Sequence, residues 1–373
     1  MESTLETAEA VRPAPPRAAD SRGRRALRAL SFRNIGAVYV WALIVVIFLI
    51  WVPETFGTWD TAKQILNDNA VTGLMALSLI VPLCTRTFDL SVGFVATLGA
   101  VVSAYLLSKG MPVGPAVAIA LGAALFVGLV NATVVVGMGV DSFIATLATG
   151  SLIQAFITLL TDQIPITTPE LAGSFASIGQ TRVGGLTLPV FYVLAVALVL
   201  WFVLEHTATG RRLYATGFNI ESARLAGVKT ARLRFVSLVV SAGIAGAAGV
   251  VLASTLGSGD PTAGNPYLLS AYAAAFLGAS QLRPGRFNAW GALIAVLLLG
   301  TGTIGLSLAG TESWTQEMFT GVVLIAALGI TGAERRALGR GWRKRFAGER
   351  GTATPAHETG SSNGKPPLSR AGT

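Results

Sequence analysis

The sequence contains little that could build a catalytic or metal-binding centre. Its 373 residues include one cysteine and two histidines, and charged residues make up only 13% of the chain. Cys84 on its own cannot form an intramolecular disulfide, and one cysteine with two histidines does not predict a metal site. A soluble chain of this length needs far more charge to cover its surface. We therefore predict no bound metal and look for the function in the apolar part of the chain.

Two further absences limit the energy sources that the chain can use by itself. No Asp or Glu lies in the middle of a long apolar segment, whereas carriers coupled to protons or sodium ions usually need ionisable groups deep in the bilayer. The phosphate-binding loop Gly-x-x-x-x-Gly-Lys-Ser/Thr is also missing, because the Gly-Lys pair at 364–365 has the wrong spacing and is followed by proline. We predict that the chain binds no cofactor and that any ATP is used by another protein.

Apolar segments of membrane-spanning length dominate what is present. Hydrophobic residues make up 52% of the chain. Because a helix of about 20 apolar residues crosses the hydrocarbon core, we predict an all-α, polytopic membrane protein with about ten transmembrane helices. The eighth candidate is short enough to be a tilted, re-entrant or broken segment. The ten candidates lie at 35–52, 66–85, 90–108, 113–137, 141–161, 187–205, 234–256, 267–281, 287–308 and 315–332.

Positive charge predicts how these helices are oriented. The chain has a formal net charge of +9, and its Lys and Arg residues concentrate in alternate gaps and in the two tails. The other gaps hold only Lys63, Lys109 and Arg182. Because cytoplasmic loops retain positive charge, the loop 206–233 and both termini are predicted to be cytoplasmic. The basic residues flank apolar segments, so we expect them near anionic lipid and predict no nucleic-acid binding.

The domain organisation follows from the same pattern. Residues 1–33 and 334–373 are basic and rich in Ala, Pro, Gly and Ser, with little to bury, so we predict two disordered cytoplasmic tails. Residues 34–333 form the predicted transmembrane domain. Its main cytoplasmic contact surface is the loop 206–233.

A short capped helix is predicted inside that loop. Asn219 can cap its first turn, Glu221 then lies near the positive end of the helix dipole, and Gly227 can end the helix in the left-handed region. Such a compact element between two spans either transmits force from a partner or is only an ordered loop on the membrane surface. The residues alone favour neither interpretation.

The transmembrane segments carry small and neutral polar residues rather than charges. Ala242, Gly246 and Gly249 share one helical face, which lets helix backbones approach closely. We favour packing inside one subunit over a subunit interface for this face. Hydroxyl and amide groups are the deepest polar candidates. Those predicted to face a translocation pathway are Asn131, Thr146, Thr149 and Gln154.

Four sequence blocks, in order along 36–332, are similar to blocks of a known family. They are Phe88–Gly93, Gly128–Asn131 with Phe143–Leu147, Thr209–Gly227, and Asp260–Gly264. Together they resemble the permease subunits of bacterial sugar ABC importers, in the ribose, xylose and galactoside group of a wider family that also contains branched-chain amino acid permeases. The third block matches best. The chain departs from the family at 267–270, where acidic residues are common, so the resemblance does not extend to specificity.

The resemblance implies roles for particular residues. It makes 206–233 the coupling element that docks into a cytoplasmic ATPase. The coupling residues would be Arg211, Asn219, Glu221, Arg224 and Gly227. A motif at the start of the third span, in which the aspartate caps the helix or else contacts substrate or the ATPase, would consist of Asp89, Ser91 and Gly93. An external turn, either facing a binding protein or only a surface turn, would consist of Asp260, Pro261, Thr262 and Gly264.

The function implied by the resemblance is transport. The chain would be the permease subunit of a monosaccharide importer in the bacterial plasma membrane. Its partners would be a second permease subunit, as in a homodimer, a separate ABC ATPase, and an extracytoplasmic sugar-binding protein. Within the family, a branched-chain amino acid or nucleoside permease is an alternative. An ion-coupled secondary transporter is the alternative from another class.

Overall fold

The computed structural model describes residues 32–279 and 285–327 of the chain. The two predicted tails fall almost wholly outside these residues. The first half of the described chain is helical, and α6 passes directly into a π turn, Thr133–Gly137. The helices are α1 (Phe32–Trp51), α2 (Pro53–Phe56), α3 (Trp59–Asp68), α4 (Ala70–Cys84), α5 (Val92–Ser108), α6 (Val113–Ala132) and α7 (Ser142–Thr161).

The second half is also helical, apart from one short antiparallel hairpin. Strands β1 (Arg182–Val183) and β2 (Leu186–Thr187) pair with Arg182 opposite Thr187. A 3-10 turn, Pro169–Leu171, precedes them. The helices are α8 (Ser177–Gln180), α9 (Leu188–His206), α10 (Ala208–Phe218), α11 (Ile220–Leu225), α12 (Thr230–Leu256), α13 (Asn265–Ala279), α14 (Ala289–Leu308) and α15 (313–327).

The prediction of an all-α, polytopic membrane protein is confirmed. Among the described residues, five helices are long and apolar enough to cross a membrane: α6 with its π turn, α7, α9, α12 and α14. The pair α3–α4, bent by 43°, can count as a sixth. Each of the ten predicted segments overlaps a helix, but the count of ten spans and the side of the termini stay predictions.

The core is built around α12, which packs against α4, α5 and α6. Small residues allow these helices to approach closely. A Cβ on Gly249 would overlap the carbonyl oxygen of Ala96 on α5, and a Cβ on Gly246 would overlap the methyl of Ala124 on α6. Where lipid gives no hydrophobic drive between helices, such close contact is a main source of association. The prediction that this face packs inside one subunit is confirmed.

The long connection between α7 and α9 folds over the C-terminal end of α12. Ser254 joins the two, since its hydroxyl donates to the Phe175 carbonyl (2.7 Å) and accepts from the Gly179 amide (2.7 Å). The side chains of Phe175 and Leu171 are fully buried beneath it. This end of the molecule therefore carries an ordered cap on the side opposite to α10 and α11.

Candidate functional site

The segment between α9 and α12 folds into two short helices, α10 and α11. The side chain of Thr207 caps α10 by accepting from the Gly210 amide (3.3 Å). Asn219 caps α11, with its Oδ1 accepting from the Ser222 amide at 2.9 Å. The cap at Asn219 was predicted from the sequence, whereas α10 was not, because its apolar residues are few and its first half carries two adjacent arginines. We call Ala208–Val228 the coupling segment.

The tip of the coupling segment is exposed. The side chains of Glu221 and Arg224 are 60% and 66% exposed and form an ion pair one turn apart on α11. Gly227 follows with φ +80°, so it ends this element in the left-handed region, as predicted. Leu225 is 80% exposed beside the ion pair. The tip therefore presents one apolar side chain and two opposite charges at the surface.

The opposite face of α10 is anchored in the transmembrane domain. Gly217 lies directly against the carbonyl oxygen of Cys84, the last residue of α4, and has no room for a side chain. The Tyr214 hydroxyl donates to the Phe287 carbonyl, just before α14, at 2.8 Å. Burial raises the pKa of Tyr214, so the phenol keeps the proton that it donates. The coupling segment therefore holds the ends of two transmembrane helices.

An arginine reinforces this anchor. The Arg286 guanidinium lies over the rings of Tyr214 and Phe218, at 5.2 and 5.6 Å from their centroids. Guanidinium groups are attracted to the faces of aromatic rings at such distances. Arg211, by contrast, lies on the exposed face of α10. The coupling residues predicted from the sequence thus lie together on the outer surface of the segment. Its aromatic residues, Tyr214 and Phe218, attach it to the residues just before α14.

The break between α4 and α5 gathers several buried polar side chains. Two residues after α4, Arg86 lies in the left-handed region with φ +55°, and residues 87–89 are not helical. In an apolar environment each free backbone amide there needs a partner. Side chains from two other helices, α7 and α13, supply them. Phe88 N donates to Ser142 Oγ (3.0 Å), Asp89 N to Tyr272 Oη (3.1 Å) and Leu90 N to Thr146 Oγ1 (2.9 Å).

The Asp89 carboxylate lies at the centre of this break and is 1% exposed. Its Oδ1 accepts from the Ser91 amide (3.1 Å) and hydroxyl (2.6 Å), and its Oδ2 accepts from the Ser241 hydroxyl on α12 (2.8 Å). Ser91 Oγ in turn accepts from Asn131 Nδ2 on α6 at 2.8 Å. We call Asp89, Ser91, Asn131, Ser241 and Tyr272 the Asp89 cluster.

The cluster combines predicted residues with residues that sequence reasoning missed. Asp89, Ser91 and Asn131 came from two separate predicted sets, and the structure brings them together. Ser241 and Tyr272 were not identified, although Ser241 opens a run of small residues where a hydroxyl is conspicuous. The third residue of the motif, Gly93, packs against Gly264. Asp89 therefore does more than cap one helix, because its two oxygens join α5 to α12.

The residues predicted to line a pathway are turned toward the interior of the chain. Asn131 and Thr146 are fully buried, and Thr149 donates to the Ala145 carbonyl of its own helix (3.0 Å). Gln154 Nε2 donates to the Pro261 carbonyl at 3.4 Å. Among the described residues, Asn131 Oδ1 and Gln154 Oε1 are buried acceptors without a donor.

The predicted external turn leads back into the domain. Gly259 pairs with Ile166 through two backbone hydrogen bonds (3.1 and 2.9 Å) and packs beside Ala104 on α5. The Gly264 amide donates to Thr97 Oγ1 at 3.0 Å. Ala104 and Thr97 are about 10 Å apart along the axis of α5, so 259–264 descends by that distance without forming a helix. Helix α13 therefore starts inside the domain, as a broken span does.

This descent separates the predicted docking residues. Asp260 Oδ1 accepts from both the amide and the hydroxyl of Thr262 (2.7 Å each), and Thr262 is exposed. Pro261 and Gly264 are buried. Of the four predicted residues, only Asp260 and Thr262 therefore have accessible surface.

Known proteins are similar to this chain along most of its length. Residues 61–328 match the family described as branched-chain amino acid transport system / permease component. The ribose import permease protein of Escherichia coli strain K12 is 33% identical over 295 residues, 77% of this chain and 91% of the relative. The D-allose transport system permease protein of that strain is 30% identical over 305 residues, 81% of this chain and 92% of the relative.

Two more relatives extend the same pattern. The ribose import permease protein of Haemophilus influenzae is 31% identical over 291 residues, 77% of this chain and 90% of the relative. The L-arabinose transport system permease protein of Escherichia coli strain K12 is 29% identical over 293 residues, 79% of this chain and 88% of the relative. No solved structure matches the chain.

Proposed function

The chain belongs to the family of permease components of branched-chain amino acid transport systems, and on that premise we propose that it is the membrane-spanning permease subunit of an ATP-driven monosaccharide importer. It is a multi-pass protein of the inner membrane. The observation that carries the proposal is its similarity, over about four fifths of its length, to import permeases for ribose, allose and arabinose. Those relatives are permease subunits and not enzymes.

A sugar fits the polar groups of the chain better than an amino acid does. An amino acid brings an ammonium and a carboxylate, which need charged or strongly polar partners when they leave water. The polar groups in the middle of the predicted spans are mainly hydroxyls and amides. Such neutral donors and acceptors match the hydroxyls of a sugar. We therefore place branched-chain amino acids second, and nucleosides as well, because the relatives named above are import permeases for sugars.

The test of the substrate class compares uptake in cells with and without the gene. We expect its deletion to abolish uptake of one monosaccharide from a panel that includes ribose, allose, arabinose and fructose. An importer that lacks its permease subunit has no pathway across the membrane. Uptake of leucine and of a nucleoside should be unchanged and serves as the control. Loss of leucine uptake with all sugars unaffected would contradict the proposal.

A separate ABC ATPase supplies the energy in this proposal. The ATPase contacts the exposed tip of the coupling segment through Glu221, Arg224 and Leu225, and Arg211 extends that surface. Tyr214 and Gly217 carry the movement to the transmembrane helices, since both are anchored there. A second copy of the chain completes the pathway. An extracytoplasmic sugar-binding protein meets the opposite end, near Thr262 and the α7–α9 connection.

The proposed topology has ten spans with both termini in the cytoplasm. Ser174 and Ser222 are exposed at opposite ends of the domain, and the native Cys84 is buried, so its background reactivity should be low. In intact spheroplasts, a membrane-impermeant maleimide is expected to label Ser174→Cys but not Ser222→Cys. After permeabilisation both should react. Labelling of Ser222→Cys alone in intact spheroplasts would refute the orientation.

A further inference from the structure

On the basis of the proposed function, we infer that Asp89 is a positioning residue that links the coupling segment to the broken helix α13. Asp89 is buried from solvent and so has no access to substrate or to the ATPase. It acts through the helices that its hydrogen bonds join. The movement that ATP drives at the coupling segment then reaches α13 through the break between α4 and α5.

The first step of the link connects the coupling segment to the break. Gly217 on α10 lies against the Cys84 carbonyl, and its nearest neighbour beyond that is Thr85. Arg234, at the start of α12, donates from Nε to Thr87 Oγ1 at 3.2 Å. The hydroxyls of Thr85 and Ser237 lie 3.4 Å apart. The residues before Asp89 are therefore held between α10 and the first turns of α12.

The second step connects the break to α13 at two points. The Asp89 amide donates to Tyr272 Oη, in the middle of α13. One turn further along, Gly93 packs against Gly264, immediately before α13 begins. A displacement of Asp89 and Gly93 would therefore move both the start and the centre of α13.

An aromatic series gives a second route between the same two places. Tyr214 of the coupling segment bonds to the backbone of Phe287. The Phe287 ring contacts the Phe276 ring at 5.6 Å between centroids, and Phe276 stacks on Tyr272 at 6.2 Å and on Phe88 at 6.5 Å. Both routes end at Phe88 and Asp89. The break is thus the place where movement from the coupling segment converges.

A carboxylate suits this junction because it accepts on two sides at once. One oxygen of Asp89 holds the start of α5 through Ser91, and the other holds α12 through Ser241. The cluster also contains an unused acceptor, Asn131 Oδ1, which has no donor among the described residues. A rearrangement that brings a hydroxyl to this oxygen would gain a hydrogen bond, so the cluster has a physical reason to adopt a second arrangement.

The test measures coupling rather than transport alone. The complex is purified through a tag on the permease, and ATP hydrolysis is measured with and without the sugar-loaded binding protein. The ratio of the two rates is the coupling ratio. We expect Asp89→Asn, Ser241→Ala and Tyr272→Phe each to lower the coupling ratio about fivefold or more, the usual size of a coupling between two sites. The basal rate should stay near that of the wild type.

The controls separate a linking role from a merely structural one. Ser103 is another fully buried hydroxyl, on α5, whose bonds stay within its own helix, so Ser103→Ala should keep the wild-type ratio. The double variant Asp89→Asn/Ser241→Ala should be no worse than its stronger single variant, because both changes alter the same contact, in which the Ser241 hydroxyl donates to the Asp89 carboxylate.

Two results would overturn the inference. One is a coupling ratio that stays at the wild-type value in all three cluster variants. The other is a loss of activity that follows only the amount of ATPase copurified and the melting temperature, with the ratio unchanged. In both cases sugar-stimulated hydrolysis by the wild type would leave the proposed function intact. Absence of stimulation in the wild type by every sugar of the panel would instead contradict the proposed function.

Discussion

Replacing Glu221 and Arg224 together by alanine is expected to reduce ATP-driven uptake at least about tenfold, as truncation of two residues at the centre of a protein contact does. Both side chains are largely exposed on α11, and their ion pair is exposed too. Exposed pairs contribute little to folding, so the variant should insert and fold normally. The expected loss therefore reflects the missing contact with the ATPase.

The measurement combines sugar uptake by cells with the amount of permease in the membrane and the amount of ATPase that copurifies. Lys63 and Asp60 form a matched control, since they also make an ion pair three residues apart, at 2.9 Å, on α3. Asp60→Ala/Lys63→Ala should leave uptake close to the wild-type rate. Wild-type uptake in the Glu221/Arg224 variant would remove the coupling role from α11.

Concentrative uptake is expected to stop when ATP is depleted and to continue when an uncoupler collapses the proton gradient while ATP is maintained. The physical reason is that the chain has no phosphate loop of its own, and its buried carboxylate is fully engaged. Asp89 already accepts three hydrogen bonds from Ser91 and Ser241. A proton-coupled carrier needs an acid that can reach water in turn from each side.

The same prediction holds for purified components. Proteoliposomes that contain this chain alone should accumulate no sugar. Those that contain the complete complex should accumulate it when ATP is supplied on the side of the membrane where the ATPase lies. A proton-coupled sugar carrier, treated with the same uncoupler, is the control for loss of the gradient. Accumulation by the lone chain, abolished by uncoupler, would establish the ion-coupled alternative.

Local features of the coupling segment could be predicted from the sequence. Asn219 caps a helix and Gly227 ends it because these conformations depend on neighbouring backbone groups a few residues away. Helix α10 was missed for a local reason as well. Its large buried residues, Leu213 and Tyr214, are adjacent and follow two arginines, so the periodic apolar pattern is weak.

The candidate site in the transmembrane domain could be predicted only in part. The sequence identified Asp89 and Asn131 as unusual polar residues, but in different roles. Their association depends on contacts between residues far apart in the chain, such as Asp89 with Ser241 and with Tyr272. Many serines and tyrosines are available, and sequence spacing alone does not say which of them faces a given aspartate.

The amino-acid sequence by itself determined that this is a helical membrane protein with a basic loop at 206–233, because hydropathy and charge act on each segment separately. Only the tertiary structure decided where Asp260–Gly264 runs and what Asp89 binds. Both outcomes follow from close packing along α5, where Gly93 and Thr97 admit the descending backbone. Buried polar groups then take whichever partners that packing brings within reach, since in an apolar interior an unpaired group is costly.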